Sequence, residues 1–135
     1  MEFSVDLGQL VGDISQRFTT TQADIQAALD GQKKRIQERT WSGVDIDGAP
    51  FAPYAKSTGK TGPVTLGDLP DAIQTQVLGS EEGHVFIPAP KDVIALAHNM
   101  GTSRMPQRHF FGISDLDKAE IQSEIQAAVL KRAKA

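Results

Sequence analysis

Ala72-Ile73-Gln74-Thr75-Gln76-Val77-Leu78, then Gly79-Ser80-Glu81-Glu82-Gly83, then His84-Val85-Phe86-Ile87 is the stretch whose reading decides the fold. Ile73, Thr75 and Val77 recur at every second position, the period of a half-buried strand. Gly79 to Gly83 is an acidic turn bounded by glycines, and His84 to Ile87 is a second run of strand formers. Two such runs around a short turn predict an antiparallel hairpin. Pro88 and Pro90 end it, because proline has no amide to give to a ladder.

On the C-terminal side, Val93, Ile94, Leu96 and Ala97 predict a short helix over Val93–Asn99 with these residues on one face, and Gly101 stands where a helix C-cap is expected. Met105 to Gly112 reads as extended or strand-like. Ser114, with Asp117 three residues on, is a capping-box-like start for a closing helix. Ile121, Ile125, Ala128 and Val129 form its buried stripe, and Lys131, Arg132 and Lys134 suit its negative end.

On the N-terminal side, Ile25, Ala28, Leu29 and Ile36 place a helix over about Gln22 to Arg39. Gln32 and Lys33 occupy places where that stripe calls for apolar residues. The helix is therefore expected to be partly buried, with Lys33, Lys34 and Arg35 as a solvated face. Trp41 at its end is expected as a packing anchor. Before it, Phe3 and Val5 suggest an extended start, and Leu7, Leu10, Val11, Ile14 and Phe18 fit one more amphipathic helix ending at Thr19-Thr20-Thr21. From Ser42 to Pro70 five glycines and four prolines forbid long regular elements. Val44 to Gly48 reads as a short strand with an Asp-Gly turn, and about 55–66 as an exposed, mobile loop. The expected fold is α+β: a small antiparallel sheet packed with an N-terminal helical pair and a C-terminal helix.

The 135 residues make one ordinary domain. A net charge of -3 argues against a general polyanion binder, which needs clustered excess cations. The absence of cysteine excludes disulfide scaffolds, thiol catalysis and thiolate zinc sites. No run of about 18 apolar residues suggests a membrane span, and the acidic start is unlike a secretory signal.

Motifs for chemistry are thin. Gly59-Lys60-Thr61 resembles the end of a phosphate-binding loop, but the required upstream glycine is replaced by Tyr54 and Pro63 opposes the required helix. His84, His98 and His109 match no compact metal spacing. Asp45 and Asp47 before Gly48 are accounted for by turn chemistry. No G-x-S-x-G occurs.

Four pieces in order carry a resemblance: Ile36-Gln37-Glu38-Arg39-Thr40; Asp45-Ile46-Asp47-Gly48-Ala49-Pro50-Phe51-Ala52-Pro53-Tyr54; Ala95-Leu96-Ala97-His98-Asn99-Met100-Gly101; and Met105-Pro106-Gln107-Arg108-His109-Phe110-Phe111-Gly112-Ile113-Ser114 with the capped helix behind it. This order resembles the tail-completion, or virion morphogenesis, proteins of tailed bacteriophages, the Mu G-like and P2 S-like groups. It covers about Ile36 to Val129. Thr65-Leu66-Gly67-Asp68-Leu69-Pro70 stands where the family often has Asp-Thr-Gly-x-Leu, and His109 replaces a commoner proline or arginine.

The resemblance implies a structural protein with no enzymatic activity and no cofactor. It implies a ring of copies of itself, six being the suggested number, at the head-proximal end of the tail. Its partners there would be the tail tube protein and the head connector, and its place the neck of the virion. It implies no membrane and no specific nucleic acid, with DNA passing through the lumen. The interaction candidates are Lys56 and Lys60 in the loop, Arg104 and Arg108, and Phe110 and Phe111. In an extended segment one phenylalanine would face inward and one outward; the alternative buries both. Two other readings compete: a small nucleic-acid-binding module using Lys33, Lys34, Arg35, Arg104 and Arg108, and a hydrolase or metal enzyme using His98 with Asp45 or Asp47.

Overall fold

A computed structural model describes residues 3–6, 20–54, 59 and 64–133. The expected helix at Leu7 to Phe18 lies outside the described residues. The chain is α+β. Among the described residues the elements are β1 (Phe3–Asp6), α1 (Gln22–Trp41), a 3-10 turn at Leu69–Ala72, β2 (Gln74–Val77), β3 (Gly83–Ile87), α2 (Lys91–Met100) and α3 (Asp115–Ala133). No helix among the described residues is long and apolar enough to cross a membrane.

The hairpin forms as its alternation predicts. β2 runs antiparallel to β3 with Thr75 opposite Val85 and Val77 opposite Gly83. β1 adds to the other edge of β3, with Val5 opposite Val85, giving the order β1-β3-β2. Side chains alternate across a strand, so Gly83, Val85 and Ile87 share a face. That face meets α1: a Cβ on Gly83 would lie 2.8 Å from Leu29 Cδ1 and 3.0 Å from Ile25 Cγ2. Gln26 of α1 donates to the Thr75 hydroxyl at 3.0 Å, on the same side. On the opposite face the His84 and Phe86 rings meet edge to face at 5.2 Å.

α1 starts in a full capping box. Thr21 Oγ1 accepts from the Asp24 amide and Asp24 accepts from the Thr21 amide. Its inward stripe is Ile25, Ala28, Leu29, Gln32, Ile36 and Thr40, all fully buried. The helix is partly buried, as expected, and Gln32 keeps its stripe position because its amide is bonded inside. Arg35 is a correction to the solvated face. It lies folded against α3, ion-paired with Glu124 and with Glu120. Gly31 makes this possible, since the Glu124 carboxylate lies where a side chain would begin. Ile121, Ile125 and Val129 of α3 complete the core with Phe51, Val64, Leu66, Leu69 and Ile73.

Five further expectations change. α2 is rotated from the sequence reading: Asp92, Ala95 and Asn99 face inward while Val93 and Ile94 are exposed. Asn99 sets that rotation, because its amide bonds the backbone of Phe111. Trp41 is 43% exposed and is not part of the core. Val44 to Gly48 is a turn closed by one bridge, Val44 to Pro50, and not a strand. Met105 to Gly112 joins no sheet. At the end of the expected exposed loop, Val64 and Leu66 are buried in the core.

Gly83→Ala should therefore lower the unfolding free energy by about 1–3 kcal/mol, because the added methyl meets α1 and the Gln76 carbonyl oxygen at 3.0 Å. Urea unfolding of the two chains measures it; an unchanged midpoint would contradict this packing.

Candidate functional site

The segments that carry the resemblance are far apart in sequence and meet in space. Arg108 is 4% exposed. Its Nε donates to the Ala52 carbonyl at 2.9 Å and its Nη2 to the Pro53 carbonyl at 3.1 Å. Its guanidinium lies over the Tyr54 ring, 5.4 Å from the centroid. The Arg108 amide donates to the His98 carbonyl at 2.6 Å, so one residue ties the 52–54 segment to the end of α2.

Asn99 makes the second tie. Its Nδ2 donates to the Phe111 carbonyl at 3.1 Å and its Oδ1 accepts the Phe111 amide at 3.0 Å. One side-chain amide thus satisfies a residue as a neighbouring strand would. Gln107 donates to the Asn99 carbonyl at 3.0 Å. Gly101 lets the chain turn back here: its φ is +75°, and a Cβ would lie 3.0 Å from the Gln107 amide nitrogen.

The third tie is centred on Asp117, 4% exposed. Ser114 and Asp117 exchange amide-to-side-chain bonds at 3.0 Å, the capping box that opens α3. The same Asp117 oxygen accepts from Arg39 Nη1 at 2.8 Å and from Gln32 Nε2 at 3.0 Å. Gln32 and Arg39 also donate to the Gly112 carbonyl. Burial pushes the Asp117 carboxyl up. The bonds from Arg39, Gln32 and the Ser114 amide, with the Arg39 charge, outweigh it and hold the pKa below 3.8. A fourth link runs from the Ile46 amide to the His109 carbonyl at 2.9 Å. Asp45 closes the adjoining turn by accepting from the Asp47 and Ala49 amides, the turn role expected of it.

The nominated residues fare unevenly. Lys56 and Lys60 lie outside the described residues, and so does most of the Gly59-Lys60-Thr61 stretch. Arg104 is exposed. Arg108 is buried, with its guanidinium held by the Ala52 and Pro53 carbonyls. Phe110 and Phe111 are both fully buried, their rings edge to face at 6.0 Å, so the arrangement with one outward aromatic is not the one found. The basic set of the nucleic-acid reading is not brought together: Arg35 is paired with α3, Lys34 lies 3.8 Å from Glu38, and Arg108 is buried. His98 and the Asp45–Asp47 pair line separate hollows, one of about 270 Å³ with Tyr54 and Asp68, the other of about 400 Å³ between α1, the 44–48 turn and the start of α3. No group of three His, Cys, Asp or Glu among the described residues is placed to hold a metal.

Sequence reasoning missed Asn99 and the inward role of Arg39, and saw in Asp117 only a cap. One signal was present: a polar residue, Gln32, standing in an apolar stripe. No protein-family model, curated protein or solved structure matches the chain.

A carboxyl whose folded pKa is depressed contributes stability above its unfolded pKa and loses it as pH falls through the folded value. Asp117→Asn should cost about 2 kcal/mol at pH 7. Its stability should then fall less than that of the unsubstituted chain as the pH drops below the ordinary carboxyl value of 3.8. Urea unfolding across pH measures both; parallel pH curves would contradict the assignment.

Proposed function

We propose that the chain is a structural assembly protein of a tailed bacteriophage, one that completes the head-proximal end of the tail as a ring of copies. The observation that supports it best is the joint just described. The segments that resemble the tail-completion pattern meet there, and their buried polar side chains bond within the chain. Arg108 holds Ala52 and Pro53, Asn99 holds Phe111, and Arg39 holds Gly112 and Asp117. A pattern of this kind specifies a shape. Catalysis would instead need polar groups left free to meet substrate.

In this reading the ring docks on the tail tube protein and presents a surface to the head connector in the virion neck. The net charge of -3 suits a lumen through which DNA slides without sticking. Members of such a ring touch head to tail, so each copy carries two different complementary patches.

Electron microscopy of particles from a source phage or prophage deleted for this gene tests the reading. Full heads beside separate or abnormally ended tails, restored by the gene in trans, are expected. Normal infectious particles from the deletion would refute it.

A further inference from the structure

Two surface features remain unexplained by the fold. The first is a ridge on α2. Val93 is 71% exposed, Ile94 53% and Met100 67%. Positions 93, 94, 97 and 100 follow helical spacing, so these side chains form one stripe with Ala97. The inward face of α2 is occupied by Ala95 and Asn99, so the stripe points away from the core. Just beyond the helix, Arg104 is exposed. The only acid in α2, Asp92, is buried.

The second is the hollow of about 400 Å³ between α1, the 44–48 turn and α3. Its apolar lining is Val44, Ile46 and Leu116, and Leu116 is 67% exposed. Its rim is acidic, with Glu38, Asp45, Asp47 and Glu120. The two arginines in its wall are already engaged: Arg35 with Glu120 and Glu124, Arg39 with Asp117. The ridge and the hollow share no residue.

We propose that the ridge of one copy seats in the hollow of the next. Apolar area of this kind is uncommon on a surface that stays in water. The ridge brings apolar side chains, with Arg104 exposed in the chain just beyond it, and the hollow offers an apolar lining and the exposed carboxylates of Glu38, Asp47 and Glu120. A second ridge would be a worse occupant, because it sets Arg104 against another cation with no exposed α2 acid to answer it. The contact therefore joins two different patches and propagates from copy to copy, closing if the rotation allows. It deepens the assembly reading above and rests on it for the ring.

Sedimentation velocity of the full chain over a range of protein and salt concentrations tests the contact. Ile94→Asp changes the ridge; Leu116→Lys with Asp47→Lys changes the hollow. All three positions are exposed, and thermal unfolding shows whether each variant is folded. The unsubstituted chain should form species larger than a dimer that weaken with salt. Each variant alone should associate at least about tenfold more weakly. Mixed in equal amounts, the two should form dimers and nothing larger, because one keeps a sound hollow and the other a sound ridge. A chain monomeric at every concentration overturns the contact. So does assembly indifferent to either variant, or a mixture that stays monomeric. None of these outcomes touches the tail-completion reading, which stands or falls on the particles made without the gene.

Discussion

The carboxylate of Asp117 is the interaction on which the rest depends. It caps α3, receives Arg39 and Gln32 from α1, and through those two residues fixes the carbonyl of Gly112. One buried anion thus sets where two long helices lie and where the chain between α2 and α3 must pass. A buried charge is tolerated only with its hydrogen bonds complete. Here the donors come from α1 and from the cap of α3, so the anion demands the arrangement that satisfies it. Arg35 with Glu124 repeats the α1–α3 link nearer the solvent, where it contributes less.

From this anchor the irregular half of the molecule becomes intelligible. Residues 101–114 and 43–54 form neither helix nor sheet, yet they enclose Phe51, Phe110 and Phe111. Buried backbone outside regular structure needs partners for its amides and carbonyls. Side chains supply them: Asn99 for Phe111, Arg108 for Ala52 and Pro53, Asp45 for Asp47 and Ala49. Phe110 and Phe111 then contribute the large apolar volume that a chain with 6% aromatics otherwise lacks. A segment resembling a surface loop by composition is in this way a wall of the core.

What could be read from the sequence was local. The hairpin, the Ser114–Asp117 capping box and the Gly101 cap depend on residues within a few positions of one another, and all were legible. The rotation of α2 was not, because it is decided by Asn99 finding Phe111, twelve residues away in the chain. Arg108 read as a surface cation because its acceptors are carbonyls 55 and 56 residues upstream, and a carbonyl leaves no mark on a side-chain pattern. Trp41 read as core by its size, but the last position of α1 turns it outward. The order of the segments hinted that they belong together; only their meeting through Arg108, Asn99 and Asp117 explains what they do there.

A rigid joint at 101–114 opens only when the whole fold opens, and native-state amide hydrogen exchange tests this most directly. The amides of Phe111, Arg108 and Ile46 accept their protection from this joint alone. They should exchange with the same free energy as the Leu29 amide in the middle of α1, the signature of opening only by global unfolding. Exchange of those three amides through a local opening, with Leu29 still fully protected, would contradict the account.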